Sequence, residues 1–244
     1  MEKGPTVKAK LDYGIDSPFI GLQIFSVIIA ALAIGIFLNN SSYTAARVLA
    51  SIILSFAPAA ALVIILMILY IKIGKFMHRD KMLRMLPIEG YEQVLDIGTG
   101  HGLLMIGAAK KLTTGKSFGI DIWNEEDLSD NNYEFAIRNA KLEAVSEKVE
   151  IVNADACRIP FTDNSFDYIL SNLCLHNIDG KQNRSLACGE ITRLLKPGGI
   201  ALISDFRYIQ EYTREFKKMG LTVSVSTSII PAPMLLRIIK VEKK

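Results

Sequence analysis

Hydrophobic positions along the chain follow two unlike patterns. From Phe19 to Leu38 and from Val48 to Ile71 apolar residues run almost without interruption, and Arg47 is the only charged residue between Phe19 and Ile71. About 20 residues at 1.5 Å per residue just span a hydrocarbon core of roughly 30 Å, so both runs predict membrane-spanning helices. Asn39-Asn40-Ser41-Ser42 ends the first run. The second contains Pro58, which predicts a kink that a membrane helix tolerates. A transmembrane hairpin over 19–71 is therefore expected, with spans 19–38 and 48–71. Gly21, Ala30, Ala31, Ala33 and Gly35 offer a small-residue face on which two such helices can approach closely.

After Pro87 the pattern changes to short apolar runs alternating with helical ones. Strands are predicted at Gln93–Ile97, Ser117–Ile122, Val149–Asn153, Tyr168–Asn172, Gly199–Asp205, Leu221–Thr227 and Leu235–Val241. Helices are predicted at Leu103–Leu112, Tyr133–Glu143, Gln182–Leu195 and Gln210–Met219. Alternation of strand and helix means an α/β domain, here 87–244, with a mostly parallel sheet covered on both faces. Pro231 and Pro233 lie in a link too short for a crossover helix, so the last two strands should pair antiparallel.

Composition sharpens this division. The 244 residues are half hydrophobic and 22% charged, with a mean hydropathy of +0.28, too apolar for one ordinary soluble domain. The remainder after the spans, roughly 170 residues, suffices to bury about 70% of its unfolded surface. The net charge of +3 hides a basic collar over 72–86, where Lys72, Lys75, Arg79, Lys81 and Arg84 face only Asp80. With Lys3, Lys8 and Lys10 in the tail 1–18 and only Arg47 between the spans, the positive-inside rule places both termini and the α/β domain in the cytoplasm. Integral membrane localisation, with membrane lipids as partners, is the expectation. The first run exceeds the usual apolar length of a cleaved signal peptide, and a second span follows it directly.

The collar alternates its charges with Phe76, Met77, Met82, Leu83, Met85 and Leu86, a spacing that suits a helix lying along headgroups or covering the following domain. His78 is expected at the surface there. The domain itself lacks a positive stripe, which argues against nucleic-acid binding. Cys157, Cys174 and Cys188 lack C-x-x-C spacing and read as reduced packing thiols. No His, Cys and carboxylate cluster has metal-ligand spacing, so no metal is expected.

In an open parallel sheet, ligands bind beyond the carboxyl ends of the strands. There the first strand runs into a turn of glycines, Asp96-Ile97-Gly98-Thr99-Gly100-His101-Gly102. Glycine permits positive φ and close approach of a ligand to backbone. The dinucleotide fingerprint G-x-G-x-x-G is not met, because Leu103 occupies its third glycine position.

The turn resembles the first motif of class I S-adenosylmethionine-dependent methyltransferases. The likeness continues through Gly119-Ile120-Asp121, Asn153-Ala154-Asp155-Ala156, Ser165-Phe166-Asp167-Tyr168-Ile169-Leu170-Ser171-Asn172 and Leu194-Leu195-Lys196-Pro197-Gly198-Gly199, and covers nearly all of 76–244. Within that class the chain is most similar to the broad subgroup containing ubiquinone and menaquinone methyltransferases. The resemblance implies a Rossmann-like seven-stranded sheet of order 3-2-1-4-5-7-6 with its last strand antiparallel, and S-adenosylmethionine as cofactor. It does not cover the hairpin.

The same resemblance assigns the cofactor site. Asp96, Gly98, Thr99, Gly100 and Gly102 would hold the methionine end. Asp121 would accept the ribose hydroxyls, with Ile122 beside it, while Asp155 and Ala156 would meet the adenine and Asn172 the methionine tail. Trp123, the only tryptophan, is a candidate to stack on adenine, and Asp127, Ser129 and Asn131 are candidates to close over the ribose. His101, within the turn, is expected to help start the next helix.

On the acceptor side His176 is the candidate base, because an imidazole suits deprotonation of a phenol or enol, and Asp205 is the candidate to orient it. The expected function is methyl transfer at the membrane surface to a lipophilic small-molecule acceptor such as a quinone, isoprenoid or lipid. Methylation of a protein or a small amphipathic molecule, and a non-catalytic cofactor-binding membrane module, are the alternatives. A nicotinamide-dependent reductase is disfavoured by the glycine spacing. A fragment beginning near Lys75 is expected to fold and bind cofactor without the hairpin.

Overall fold

The computed structural model describes residues 10–15 and 18–244. Lys3 and Lys8, which entered the hairpin reading, lie outside the described residues, as does the burial of Gly21.

Helices make up most of residues 18–84. Helix α1 spans Pro18–Asn39, α2 Thr44–Ser55 and α3 Ala57–Leu69. The break between α2 and α3 falls at Phe56, so Pro58 sits in the first turn of α3, where its missing N–H disrupts no helical hydrogen bond. α1 packs against α2, and a Cβ at Gly35 would lie 3.0 Å from a methyl of Leu54. Of the small residues singled out, Gly35 is buried in this contact, whereas Ala30 and Ala33 face outward.

The second helical run does not end at Ile71. A π-type turn, Tyr70–Gly74, carries it into α4, Lys75–Arg84. Apart from the single turn residue Phe56, Thr44–Arg84 thus form one helical run of 41 residues that is long and apolar enough to cross a membrane. The described apolar stretch of α1, Phe25–Asn39, is shorter than a span. Val48, Ile52, Leu62, Ile65 and Ile68 are all exposed.

α4 covers the domain. It buries Lys75, His78, Met82 and Leu83, which corrects two expectations: His78 is 1% exposed rather than superficial, and Lys75 points inward rather than joining an outward collar. Both polar groups are tolerated inside because each finds oxygen partners there.

The sheet has seven strands in the order β3-β2-β1-β4-β5-β7-β6, as the resemblance implied. These are β1 Gln93–Ile97, β2 Lys116–Asp121, β3 Val149–Asn153, β4 Phe166–Asn172, β5 Leu195–Asp205, β6 Thr222–Ser228 and β7 Leu236–Glu242. The first five pair parallel, and β7 runs antiparallel to both β5 and β6. Alternation along each strand divides the core. Val94, Leu170 and Leu202 face α4 and α5 (Leu103–Ala109). Leu95, Ile97, Ile169 and Ile203 face α6 (Lys181–Leu194) and α7 (Ile209–Lys218).

Some residues of the family-like motifs are structural and lie at the far end of the strands. Asp167 at the start of β4 accepts from Gln93 N at 2.8 Å and from Lys196 Nζ at 2.8 and 2.9 Å, tying together the starts of three neighbouring strands.

Candidate cofactor and acceptor site

A cleft of about 400 Å³ opens beyond the carboxyl ends of β1, β2, β3 and β4. The glycine turn forms its floor. Gly98, Gly100 and Gly102 have φ of +72°, +49° and +87°, a region L side chains avoid. A Cβ at Gly98 would fall on the Cys174 side chain, and one at Gly100 would lie 2.7 Å from a methyl of Leu128. The amides of Gly98 and Thr99 both donate to Ile120 O, stitching the turn to β2.

Asp96 and Asp121 hold this turn from two sides. One Asp96 oxygen accepts from Thr99 Oγ1 at 2.9 Å and from Met105 N at 3.0 Å, while its other oxygen is buried without a partner. Burial, with the Asp121 charge adding to it, raises Asp96 to about 7. Asp121 accepts from Gly100 N and Trp123 N, each at 2.8 Å, and from Asn131 Nδ2 at 3.3 Å. Asn131 also donates to Asn124 O, and its own Oδ1 is buried and unpaired. At the mouth, burial and the Asp121 charge raise the pKa of Asp127, against the opposing pull of His176 and the amides of Asn124 and Asn177.

The far wall carries Ile122, Asp155, Ala156, Ile178 and Asp179. Asp155 Oδ1 is taken by Cys157 N at 2.8 Å in a local turn. Asn172 ends β4, lines the cleft, and keeps a buried Oδ1 without a partner. Trp123 is placed differently from expectation. Its φ of +61° turns the ring edge-on to Tyr133, with centroids 6.3 Å apart, and the ring does not line the cleft. Ile122, 62% exposed at the cleft edge, supplies the apolar surface instead.

On the other side of β4 lies a second constellation. Asp205 is fully buried, and its two carboxylate oxygens lie 3.0 and 3.1 Å from His176 Nδ1. The carboxylate also accepts from the amides of His176, Phe206 and Arg207. An acceptor at this distance assigns the proton to Nδ1 and leaves Nε2 as the basic nitrogen. Phe206 packs edge-on against the imidazole at 4.8 Å.

Several participants carry no local sequence signal. Tyr13 and Lys75 line the cleft, although one precedes the helical hairpin and the other follows it. His101 is not merely helix-initiating: its ring is buried and stacked on Phe135 at 4.4 Å, with Nδ1 on Asp12 O and Nε2 on Asp130 O.

The family described as a methyltransferase domain matches residues 95–203. Over those residues the chain is similar to that domain. Over 125 residues the chain is 31% identical to the demethylmenaquinone methyltransferase of Staphylococcus aureus, a match covering 51% of this chain and 47% of that protein. The chain thus spans about half the length of the curated relatives it matches. The fold is shared with a SAM-dependent methyltransferase from Aquifex aeolicus, with TM-score 0.55 and 18% identity over 69% of this chain and 91% of that one. It is shared also with a geranyl diphosphate methyltransferase solved in complex with SAM, with TM-score 0.55 and 15% identity over 69% and 85%.

S-adenosylmethionine is the cofactor of such a domain, and the residues present fit it. Among the described residues lining the cleft, three buried carboxyl or amide oxygens lack donors, on Asp96, Asn131 and Asn172, whereas the cofactor brings an ammonium, two ribose hydroxyls and an adenine amino group, all donors. A buried acceptor left unmet costs about 1–3 kcal/mol, so this arrangement favours a donor-rich ligand. The glycine floor supplies the close backbone approach.

Proposed function

We propose that this protein is a membrane-anchored methyltransferase that transfers a methyl group from S-adenosylmethionine to a lipophilic acceptor such as a quinone, isoprenoid or lipid. One observation carries the reading: the apolar helix Thr44–Arg84 has no buried residues in its most apolar stretch, yet its last turns bury Lys75 into the wall of the cleft. A cleft so attached is held within a few helical turns of the bilayer surface. Tyr13, ahead of the hairpin, meets the same wall, which favours both ends of the hairpin on one side of the membrane, the side that the basic residues assign to the cytoplasm. The acceptors named by two of the similar proteins, demethylmenaquinone and geranyl diphosphate, each carry an isoprenoid chain.

The residues divide the work. Asp96, Asn131 and Asn172 offer acceptors to the methionine and ribose groups, and Asp121 holds the glycine turn and faces the ribose. Ile122 and Ala156 flank the adenine slot, with Asp155 at its edge. The bound cofactor supplies a methyl group on a positively charged sulfur, already a good leaving group. Alignment and exclusion of water therefore provide much of the rate. His176 Nε2 takes the acceptor proton, and Asp205 stabilises the imidazolium that results.

The test is to incubate full-length protein with methyl-labelled S-adenosylmethionine and native membranes, then separate organic extract, protein pellet and water. Label in the organic phase is expected. Label confined to the pellet would move the acceptor to a protein.

A further inference from the structure

The segment ahead of the first helix is bound into the cofactor site. Asp12 and Asn139 exchange two hydrogen bonds, Asp12 N to Asn139 Oδ1 at 3.1 Å and Asn139 Nδ2 to Asp12 O at 2.7 Å, across 127 residues of sequence. The same Asn139 Nδ2 donates to His101 O, and His101 Nδ1 meets Asp12 O, so this strap is fixed directly to the glycine turn. Tyr13 is 8% exposed, packs edge-on to Phe76 at 5.7 Å, and donates its hydroxyl to Glu143. Lys75, 6% exposed, donates to Tyr13 O at 2.9 Å and Gly14 O at 2.6 Å.

The strap also reaches the loop over the ribose position. Ile15 N donates to Ser129 Oγ at 2.9 Å and Ser129 N to Ile15 O at 3.1 Å, a two-way pair. Between these anchors Leu128 is wedged. A Cβ on Gly14 would lie 2.7 Å from one Leu128 methyl, and a Cβ on Gly100 2.7 Å from the other. Strap, Leu128 and glycine turn are one packed layer. The next residues of the same loop, Asp130 and Asn131, hold His101 Nε2 and Asp121.

We propose that the strap Asp12–Ile15, clamped by Lys75, is a wall of the cofactor cleft, so that its docking and cofactor binding reinforce each other. The proposal rests on the cofactor reading and goes beyond it. The residues bracketing the hairpin are thereby part of the binding site rather than a tether to it. Each event orders the loop 124–131, and the second to occur meets a loop already ordered, which is positive coupling between the two.

The experiment uses full-length protein in phosphatidylcholine nanodiscs with S-adenosylhomocysteine as the probe, read by calorimetry and by amide hydrogen exchange. Deleting residues 2–15, or Gly14→Val, which drives a side chain into Leu128, is expected to weaken binding at least tenfold. In the unmodified protein the probe is expected to protect the amides of Ile15 and Ser129. Affinity within twofold of wild type in the deletion, with Asp121→Ala still weakening it, would overturn the strap proposal alone. Should both variants unfold, absence of probe-dependent protection at Ile15 and Ser129 in the unmodified protein would overturn it equally. No binding by the unmodified protein would overturn the cofactor reading and the strap with it.

Discussion

Two histidines are held by consecutive residues of one strand. Ser204 and Asp205 end β5 and point to opposite faces of the sheet. On the α4 face, His78 Nε2 lies 2.6 Å from Ser204 Oγ, and its Nδ1 lies 2.8 Å from Ser228 Oγ. On the other face, His176 Nδ1 is held by the Asp205 carboxylate. The rings are both sheltered, but their partners differ in charge. Hydroxyl groups adapt to a neutral imidazole and give an imidazolium nothing to neutralise it, so burial, helped by Lys81, lowers His78 to about 4. A carboxylate fixes one tautomer and supports a positive ring. A single step along a strand thus separates a histidine that fastens a helix from one equipped to move a proton.

The contrast breaks if the roles can be exchanged. The largest effect is expected at His176: His176→Ala should lower kcat by 10²- to 10⁴-fold, the usual worth of a positioned base, with S-adenosylhomocysteine affinity unchanged in calorimetry. Loss of affinity in parallel would make it a binding residue instead. Asp205→Asn should lower kcat by a comparable factor, because an amide facing Nδ1 no longer keeps the proton there and Nε2 free, again with S-adenosylhomocysteine affinity unchanged.

His78 should act on stability. Its folded pKa lies below the ordinary 6.5, so the stability it contributes is present above pH 6.5 and is lost as pH falls from 6.5 through 4, by roughly 3 kcal/mol. Thermal melts across that window should show the loss, and His78→Gln should flatten it while leaving kcat within severalfold.

The cofactor half sharpens the comparison further. Asp121→Ala should weaken S-adenosylhomocysteine at least tenfold, about 1.4 kcal/mol, since the glycine turn loses its carboxylate acceptor. The smallest effect is expected from Asp96. At about 7 its pKa is raised, so its contribution to the stability of the free protein declines as pH rises from 3.8 through 7. A bound ammonium favours the ionised form, so affinity should rise severalfold from pH 6 to 8, and Asp96→Asn should abolish the slope.

What could be read along the chain follows from how local each signal is. Asp96, Asp121, Asp155 and Asn172 each end or follow a strand that its own apolar alternation marks, and the strands were placed within a few residues. Asp205 was placed by the same means and His176 by its nearness to β4, and the structure brings these two together. β5 begins earlier than expected, at Leu195, because Leu195 pairs with Phe166 ahead of an irregularity after which Ile200 resumes the ladder opposite Tyr168. The strap, Lys75 and His78 gave no warning. Asp12 meets Asn139, and His78 meets Ser204 and Ser228, across more than a hundred residues. Amid the charges of α4 a buried lysine and histidine look like solvated ones until the serines and carbonyls that receive them are placed. Trp123 has a positive φ and packs against Tyr133 rather than lining the cleft, a placement that sequence spacing alone does not signal. On the strap proposal, a fragment beginning at Lys75 would lack a wall of its own site.

The π-type turn at Tyr70–Gly74 has a geometric consequence. It closes against Pro231 O, where only a residue without a Cβ fits at Gly74, and it inserts one residue between α3 and α4, a rotation of about 100°. It therefore sets the azimuth of the whole sheet about the axis of the long helix. Removing one residue there would swing the mouth of the cleft around that axis like the hand of a dial, redirecting it without altering any residue that lines it.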